Sequence, residues 1–275
     1  MDIADCPLGI GGSKYYLILV DDYSRYSAIY PMKAKDEATH YFRDYHKAME
    51  NIHNNKLIYL RCDNAQEFVE GPLAEYASEQ GITYERSVPD AHQQNGVAER
   101  HNATFCTMAR AMLLDAHLSE YFWPLAIQAA VFTKNRLPHH ALPLNTSPYE
   151  LYYGDKPDIS LLRPFGAHCT ARILRNKQPK FAPHAERGRF VGYPRNSAGY
   201  LFWHPDTRTV KVRRDLAFLS DSPQPSFGDK SFDYSAYTPL WTYEVIPQNN
   251  TIEEATSKYA SSNNTILLLL LTSSR

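Results

Sequence analysis

Short apolar runs alternate with stretches of helical periodicity along the first 136 residues of the chain. The runs Tyr15–Val20 and Tyr26–Tyr30 are rich in aromatic and β-branched residues and flank a polar turn, which is typical of paired strands. Apolar residues at helical spacing follow over Asp36–Ile52, and a further strand-like run covers Lys56–Arg61. Strands that alternate with helices in this way predict an α/β fold, with helices packed on a sheet.

The same alternation continues towards the middle of the chain. A helix is predicted over Pro72–Gln80, a strand over Thr83–Val88 and a helix over Tyr121–Arg136. Between them a long helix begins at Val97, with apolar residues at positions i, i+3, i+4, i+7 and i+8. These residues are Phe105, Met108, Ala109, Met112 and Leu113. After Pro164 the pattern changes to short alternating runs separated by turn signals, which predicts the strands of a small β-barrel. These runs are Ala167–Leu174, Arg189–Tyr193, Gly199–Trp203 and Thr209–Val212.

These patterns divide the chain into four segments. We expect a main α/β domain over residues 1–150, a linker over 151–163 and the small barrel over 164–219. Residues 220–275 are rich in Ser, Asp and Pro and end in a repetitive leucine run, so we expect a disordered or low-complexity tail.

Charge is distributed unevenly along the chain. The net charge is −1, but Ser160–Ala217 holds twelve Lys and Arg residues against three acidic ones, an excess of nine positive charges. Such a segment can face phosphate. The four cysteines form no CxxC pair, which indicates neither a zinc site nor a disulfide framework. The longest apolar run, Ile266–Leu271, is far shorter than the roughly 20 residues of a membrane span, so we expect an intracellular protein, nuclear or cytoplasmic, with no membrane partner.

Two carboxylates lie in positions that are typical of catalytic residues. Asp63 follows a buried strand, at the edge of an α/β sheet where sites are commonly built, and Glu99 lies in the first turn of the long helix, on the flank of its apolar stripe. Thirty-five residues separate them. Taken alone, an Asp at a strand exit usually binds turn amides and a Glu in a first turn usually offsets the helix dipole.

Their flanking sequences resemble a known family. Leu60–Phe68 is similar to the "DNGxEF" signature of retroviral and retrotransposon integrases, and Gln93–Asn102 is similar to their "PQxNGxxER" motif. Further runs resemble Ty1/copia-type integrases, so that the resemblance extends over about Asp2–Asp215. These runs are Val20–Tyr26, Phe122–Ala126, Asn135–Pro138, Thr146–Glu150 and Leu162–Gly166.

The resemblance implies a ribonuclease-H-like catalytic core followed by a small SH3-like β-barrel. It also implies an enzyme that processes the 3′ ends of element DNA and joins them to host DNA as a homo-oligomer. Asp2, Asp63 and Glu99 would be the catalytic triad and would bind Mg²⁺, with Mn²⁺ as the alternative ion. Carboxylates suit this task because they hold hard cations, and two such ions activate the attacking oxygen and stabilise the leaving one.

The first carboxylate has competitors. Asp2 heads a hydrophobic-small sequence that matches the start of the family's first strand, whereas Asp5 precedes Cys6-Pro7, where a strand should end. Asp21 and Asp22 lie at the start of a tight turn, where we expect them to bind turn amides.

DNA contacts are expected from basic and polar residues near the second motif and in the barrel segment. The candidates are Asn95, Arg100, Arg172, Arg175, Lys177, Lys180, Arg213 and Arg214. The histidines His92, His101, His139 and His140 suit no zinc-finger spacing, and we expect them to be surface or loop residues.

The sequence departs from the family pattern at several places. Ala65-Gln66 replaces the usual Gly-Gly, His92 replaces Pro, and no His/Cys zinc-binding segment precedes Asp2. A truncated, noncatalytic nucleic-acid-binding remnant of a retrotransposon polyprotein is therefore the alternative function, and a structure-specific nuclease of the same fold is a third. The sequence indicates no particular target site or host tethering partner.

Overall fold

The computed structural model describes residues 1–62, 71–86, 96–173, 184–195 and 198–219. Its first part contains five strands and five helices in the order β1, β2, β3, α1, β4, α2, β5, α3, α4, α5. The strands are β1 Asp2–Asp5, β2 Tyr15–Val20, β3 Ser27–Met32, β4 Tyr59–Cys62 and β5 Thr83–Arg86. The helices are α1 Glu37–His53, α2 Pro72–Glu79, α3 Gly96–Asp115, α4 Trp123–Arg136 and α5 Pro148–Tyr153.

The strands form an antiparallel sheet in the order β1-β2-β3 and a parallel pair β4-β5. The backbone nitrogen of Met1 donates to the carbonyl of Arg61 across 2.6 Å, which brings β4 beside the start of β1. In the turn between β2 and β3, the Asp21 carboxylate accepts a hydrogen bond from the Ser24 amide. This confirms the role predicted for Asp21, and Asp22 forms an ion pair with Arg25.

Helices cover both faces of the sheet because β2 is apolar on both sides. Tyr16 and Ile18 pack in the cluster that contains residues of α3 and α4, and Leu17 and Leu19 pack in the cluster that contains Phe42 of α1 and residues of α2. All four side chains are buried. This is the continuous apolar run expected of a strand between two layers, and the arrangement is a ribonuclease-H-like α/β core.

Two elements of the core differ from the sequence prediction. The strand predicted over Lys56–Arg61 runs over Tyr59–Cys62, because pairing with β5 begins opposite Thr83 and the preceding residues leave α1 through the left-handed Asn54. The segment before Pro164 also contains the short helix α5, which the sequence prediction did not include. The Ser147 side chain caps it by accepting from the Glu150 amide, and Gly154 ends it in a left-handed conformation.

A small β-barrel follows the core, as predicted. Its five antiparallel strands are β6 His168–Arg172, β7 Ala185–Phe190, β8 Tyr200–His204, β9 Thr209–Arg213 and β10 Leu216–Phe218, in the order β10-β6-β7-β8-β9. The strand predicted at Arg189–Tyr193 lies earlier, because Gly192 has a φ of 124° and the chain leaves the strand after Phe190. The polar run Ala185–Arg189 carried no apolar alternation that would have marked the strand.

The barrel packs on the core within one compact unit. The guanidinium of Arg189 donates to the carbonyl of Ala116, directly after α3. The Trp203 ring packs edge-to-face on Phe122, with 5.0 Å between centroids. None of the helices in the described part of the chain is long and apolar enough to span a membrane.

Candidate active site

Asp2 is the first of the three predicted carboxylates, and the structure places it next to helix α3. Its side chain is half-buried, and its Oδ2 accepts a hydrogen bond of 3.1 Å from the Asn102 side-chain amide. The Asn102 Oδ1 atom in turn accepts from the Tyr16 hydroxyl. Since only the oxygen of an amide accepts and only its nitrogen donates, the Tyr16 contact turns the NH₂ group of Asn102 towards Asp2. The hydroxyl of the buried Tyr16 thus orients the Asn102 amide, which in turn binds the Asp2 carboxylate.

Tyr16 remains a neutral donor in this chain of contacts. Burial, reinforced by the hydrogen-bonding neighbour Cys106, raises its pKa well above the usual value. Its hydroxyl lies 3.1 Å from the Cys106 sulfur. Burial also raises the pKa of Cys6 to about 12, so this thiol is not a reactive thiolate at neutral pH.

Asp5, the competing residue, faces the opposite side of β1. In the antiparallel ladder Asp2 pairs with Ile18 and Asp5 with Tyr15, and residues three apart on a strand point to opposite faces. Asp5 is exposed and lies 3.8 Å from the Lys35 ammonium. Of the two carboxylates, the structure therefore brings Asp2 to the α3 side.

Glu99 lies in the first turn of α3 and is exposed to solvent. Asn102 follows it by three residues, and side chains at this spacing share one face of a helix. Glu99 is thus one helical turn from the residue that contacts Asp2. The apolar stripe of the helix is as predicted, because Phe105, Ala109 and Leu113 are buried.

Asp63, the remaining predicted carboxylate, lies outside the described residues. It follows directly on Cys62, the last residue of β4. The contact between Met1 and Arg61 brings the two chain segments that lead to Asp2 and to Asp63 side by side. The start of β1, the end of β4 and the first turns of α3 therefore meet at one edge of the core.

Carboxylate donors suit the ion expected here. Asp2 and Glu99 offer hard oxygen ligands of the kind that Mg²⁺ prefers. Within the described ranges, no group of three or more His, Cys, Asp or Glu side chains is placed to hold a metal ion. Asp63, the remaining ligand of the predicted triad, lies outside those ranges. The expectation of a Mg²⁺ site therefore rests on the chemistry of the carboxylate donors.

The predicted DNA contacts fall into four groups. Arg172 and Arg214 are exposed on the barrel. Arg100 is exposed, and its Nε donates to the Gly96 carbonyl across 2.7 Å. Arg213 is bound within the barrel, because its guanidinium donates to Glu186. The other candidates, Asn95, Arg175, Lys177 and Lys180, lie outside the described residues.

Glu186 is the centre of a small cationic cluster. Lys211 and His204 each lie 3.7 Å from its carboxylate, in addition to Arg213. Burial opposes ionisation of Glu186, but the hydrogen bond and charge of Arg213, with the charges of Lys211 and His204, hold its pKa below the usual value. Arg213 and Lys211 are therefore engaged in contacts within the barrel, which leaves fewer of its positive charges free to bind phosphate.

The histidines near Glu99 pack more closely than predicted. His101 Nδ1 lies 2.9 Å from the Ser27 hydroxyl, and its ring stacks on His139, which stacks on His140. Burial, with the neighbouring His139, lowers the pKa of His101 to about 4. His101 is therefore a neutral, half-buried residue, and not simply a surface histidine.

Sequence reasoning missed Asn102 and Tyr16. Asn102 was part of the second motif but had no predicted role, although its spacing of three from Glu99 places it on the same helical flank. The sequence pattern predicts Tyr16 only as a strand residue, because its hydroxyl contact depends on the packing of α3 against β2.

Comparisons with known proteins agree with this layout. The family model for the retroviral polymerase SH3-like domain matches residues 167–231. The chain is 34% identical over 76% of its length to the retrovirus-related Pol polyprotein from transposon TNT 1-94 of Nicotiana tabacum. It is 31% identical over 77% of its length to that from transposon RE2 of Arabidopsis thaliana. The chain spans only 16% and 14% of the length of these two relatives.

The solved structures that the chain matches include two retroviral ones. One is the simian T-cell lymphotropic virus intasome in complex with PP2A regulatory subunit B56 gamma, at 13% identity and a TM-score of 0.44, covering 80% of this chain and 78% of that one. Another is the HTLV-2 integrase catalytic core domain in complex with magnesium, in its dimeric form. It shows 19% identity and a TM-score of 0.37, and the match covers 50% of this chain and 85% of that one.

Proposed function

Because the chain is homologous to the retrovirus-related Pol polyproteins of Ty1/copia-type transposons, we propose that it is the integrase that inserts element DNA into host DNA. The reaction is 3′-end processing followed by DNA strand transfer, and it depends on Mg²⁺. The observation that carries the proposal is the meeting of three segments at one edge of the core. These segments carry Asp2, Asp63 and Glu99, and Asn102 joins the first to the helix of the third.

The three carboxylates lie in separate segments of the sequence, which suits an ion-dependent reaction. Asp2, Asp63 and Glu99 would hold Mg²⁺, which would supply activation of the attacking oxygen, from water or a DNA 3′ hydroxyl, and charge neutralisation on the leaving oxygen. Asp2 is held on a strand by Asn102, so its orientation is set before substrate arrives. Glu99 is exposed on a helix flank, from which its carboxylate can reach an ion beside the strand ends.

DNA is the proposed partner of the barrel and of the start of α3. Arg172 and Arg214 are exposed cations on the barrel, and Arg100 is exposed beside Glu99. Arg213 contributes less, because Glu186 already neutralises it. We also propose that the chain works as a homo-oligomer in the nucleus, where host DNA is found.

Strand-transfer assays with a labelled blunt DNA duplex and Mg²⁺ test this function. Asp63→Asn and Glu99→Gln should each abolish joining, and Asp2→Asn should do the same. Asp5→Asn is the matched control, because Asp5 faces away from α3 and should leave joining intact. Joining that survives Asp63→Asn would contradict the proposal, and loss with Asp5→Asn but not Asp2→Asn would reassign the first carboxylate.

The competing function is a noncatalytic remnant that only binds nucleic acid. The replacements at Ala65-Gln66 and His92 favour it, since both lie in the motifs that carry the catalytic residues. It predicts salt-dependent DNA binding by the unmodified chain with neither cleavage nor joining. Cleavage without joining would instead indicate the structure-specific nuclease.

A further inference from the structure

The outer edge of strand β3 has an unusual set of hydrogen-bond partners. In the sheet order β1-β2-β3, no described strand pairs with this edge. The buried side chain of Asn135 fills part of it: its Oδ1 accepts from the Ser27 amide at 3.0 Å, and its Nδ2 donates to the Ser27 carbonyl at 2.8 Å. A side-chain amide from α4 thus takes the place of a neighbouring strand at this one residue.

Two residues further along, the same edge lacks such a partner. Alternate residues of a strand direct their amide and carbonyl groups to the same side, so those of Ile29 face outward like those of Ser27. No residue in the described ranges hydrogen-bonds to either group of Ile29. Pro31, the next outward-facing residue, has no amide hydrogen to donate. The edge therefore offers one donor and one acceptor at Ile29, between two positions that restrict pairing.

A cleft of about 580 Å³ lies over this part of the edge. Ile29 lines it together with Tyr45 of α1, Val131 of α4 and Tyr152 of α5. The volume is within the range of about 300–1,000 Å³ found for ligand sites. The free backbone groups of Ile29 are thus next to a space large enough to admit another chain segment.

Two arginines also line the cleft. The Arg136 guanidinium lies 3.4 Å from the centroid of the Phe132 ring, and the Arg195 guanidinium lies 3.5 Å from that of Tyr30. Neither has a carboxylate within ion-pair distance among the described residues. Asp44 also lines the cleft. With two guanidinium groups against this one carboxylate, the lining carries an excess of positive charge.

We propose that this cleft binds an extended acidic peptide segment of a partner protein, which adds a short strand to the edge of β3. The peptide backbone would exchange two hydrogen bonds with Ile29, and its carboxylates would bind Arg136 and Arg195. Main-chain pairing at a sheet edge supplies affinity, and the flanking charges supply selectivity. Guanidinium groups form strong, charge-assisted hydrogen bonds with carboxylates.

An unpaired nucleotide is the rival occupant, and the observations favour the peptide. Base stacking needs free aromatic faces, but Tyr26 is stacked on Tyr152 at 4.1 Å and Phe132 on Tyr193 at 3.7 Å. A backbone amide and carbonyl on one residue of an edge strand match a peptide, which supplies both an acceptor and a donor, whereas a phosphodiester backbone supplies acceptors only.

Fluorescence anisotropy with the full 275-residue chain tests the proposal. The probe is a labelled, end-capped heptapeptide of alternating Val and Glu, and two control peptides carry Lys in place of Glu or N-methyl groups on alternate amides. We expect binding of the Glu peptide, at least about tenfold weaker binding of the N-methylated peptide, and no binding of the Lys peptide.

Protein variants locate the binding. Arg195→Gln should weaken binding of the Glu peptide by about tenfold, because it removes one of the two guanidinium groups that bind the carboxylates. Arg195 is exposed, so the variant should fold. Arg110→Gln, a matched change at an exposed arginine of α3, should have no effect. Absence of binding, equal binding of the N-methylated or Lys peptide, or equal affinity of both variants would overturn the proposal. So would tighter binding of an octathymidine oligonucleotide that displaces the peptide, which would assign the cleft to nucleic acid.

Discussion

The side-chain amide of Asn102 donates a hydrogen bond to the carboxylate of Asp2, and so joins the helix of Glu99 to the first strand of the sheet. The two residues are 100 positions apart in the sequence. Asn102 belongs to the same helical flank as Glu99, so the contact also sets where the start of α3 lies relative to β1.

Asn102→Ala should impair catalysis more than it impairs folding. The variant removes the group that orients Asp2, and loss of such an outer partner of a metal ligand typically costs about 10–100-fold in metal affinity or activity. The measurement is the strand-transfer rate across a Mg²⁺ titration, with the midpoint expected at higher concentration. Thr104→Ala, at an exposed site on the same helix, is the control. An unchanged Mg²⁺ midpoint would show that Asn102 has no part in holding the ligand.

Tyr16→Phe should produce a weaker form of the same defect. The ring stays in the core beside Trp123, but the hydroxyl that fixes the amide orientation of Asn102 is lost. An unpaired buried acceptor costs about 1–3 kcal/mol, so the melting temperature should also fall by several degrees. Thermal unfolding and the Mg²⁺ titration are measured in parallel. If Tyr16→Phe lowers stability but leaves the titration unchanged, the hydroxyl acts on the fold alone.

Glu186→Gln should destabilise the protein in a pH-dependent way. Because the folded-state pKa of Glu186 is depressed, its contribution to stability is present above its ordinary pKa of 4.5 and is lost as pH falls through the lower folded value. The melting temperature of the variant should lie about 2–4 °C below that of the parent at pH 7. The difference should shrink as the pH falls below 4.5 and through the lower folded-state pKa, because the parent carboxylate then becomes protonated too. A difference that stays constant between pH 7 and pH 3 would refute the ionic origin.

Gly188→Ala should destabilise the barrel, because there is no space for a side chain at this position. An added Cβ would lie 2.3 Å from the carbonyl oxygen of Trp203 and 2.4 Å from the Phe202 ring. Such overpacking costs about 1–3 kcal/mol or more. Gly96→Ala is the matched control, since a Cβ there meets only the end of the Arg100 side chain at 3.9 Å. Equal melting temperatures for the two variants would contradict the packing seen around β7.

Local patterns were enough to predict the core layers and the end of β1. The unbroken apolar run of β2 indicated a strand covered on both faces, and the position of Asp5 before Cys6-Pro7 indicated the strand end that the structure shows. The assignment of Asp63 and Glu99 as catalytic residues stays a prediction, because it depends on motif resemblance and Asp63 lies outside the described residues.

Features that depend on tertiary contacts could not be predicted in this way. Arg213 looked like a free cation in a basic segment, but pairing of β8 with both β7 and β9 brings it to Glu186. The apolar run Arg189–Tyr193 predicts β7 too late in the chain, because the polar residues of this strand show no apolar alternation. Its pairing comes from β6 and β8 on its two sides. In each case the deciding interaction comes from residues distant in the sequence, which a pattern along the chain does not contain.

Helix α3 sets a distance between the candidate catalytic end of the core and the barrel. Glu99 lies in its first turn, and Arg189 of the barrel binds the carbonyl of Ala116 directly beyond its last turn. At about 1.5 Å per residue, the two points are about 25 Å apart along the helix axis. At about 3.4 Å per base pair, that length corresponds to about seven to eight base pairs of duplex. If the proposed function holds, a duplex that runs along α3 from the joined phosphate must extend by that length before it reaches the point where the barrel is attached to the core.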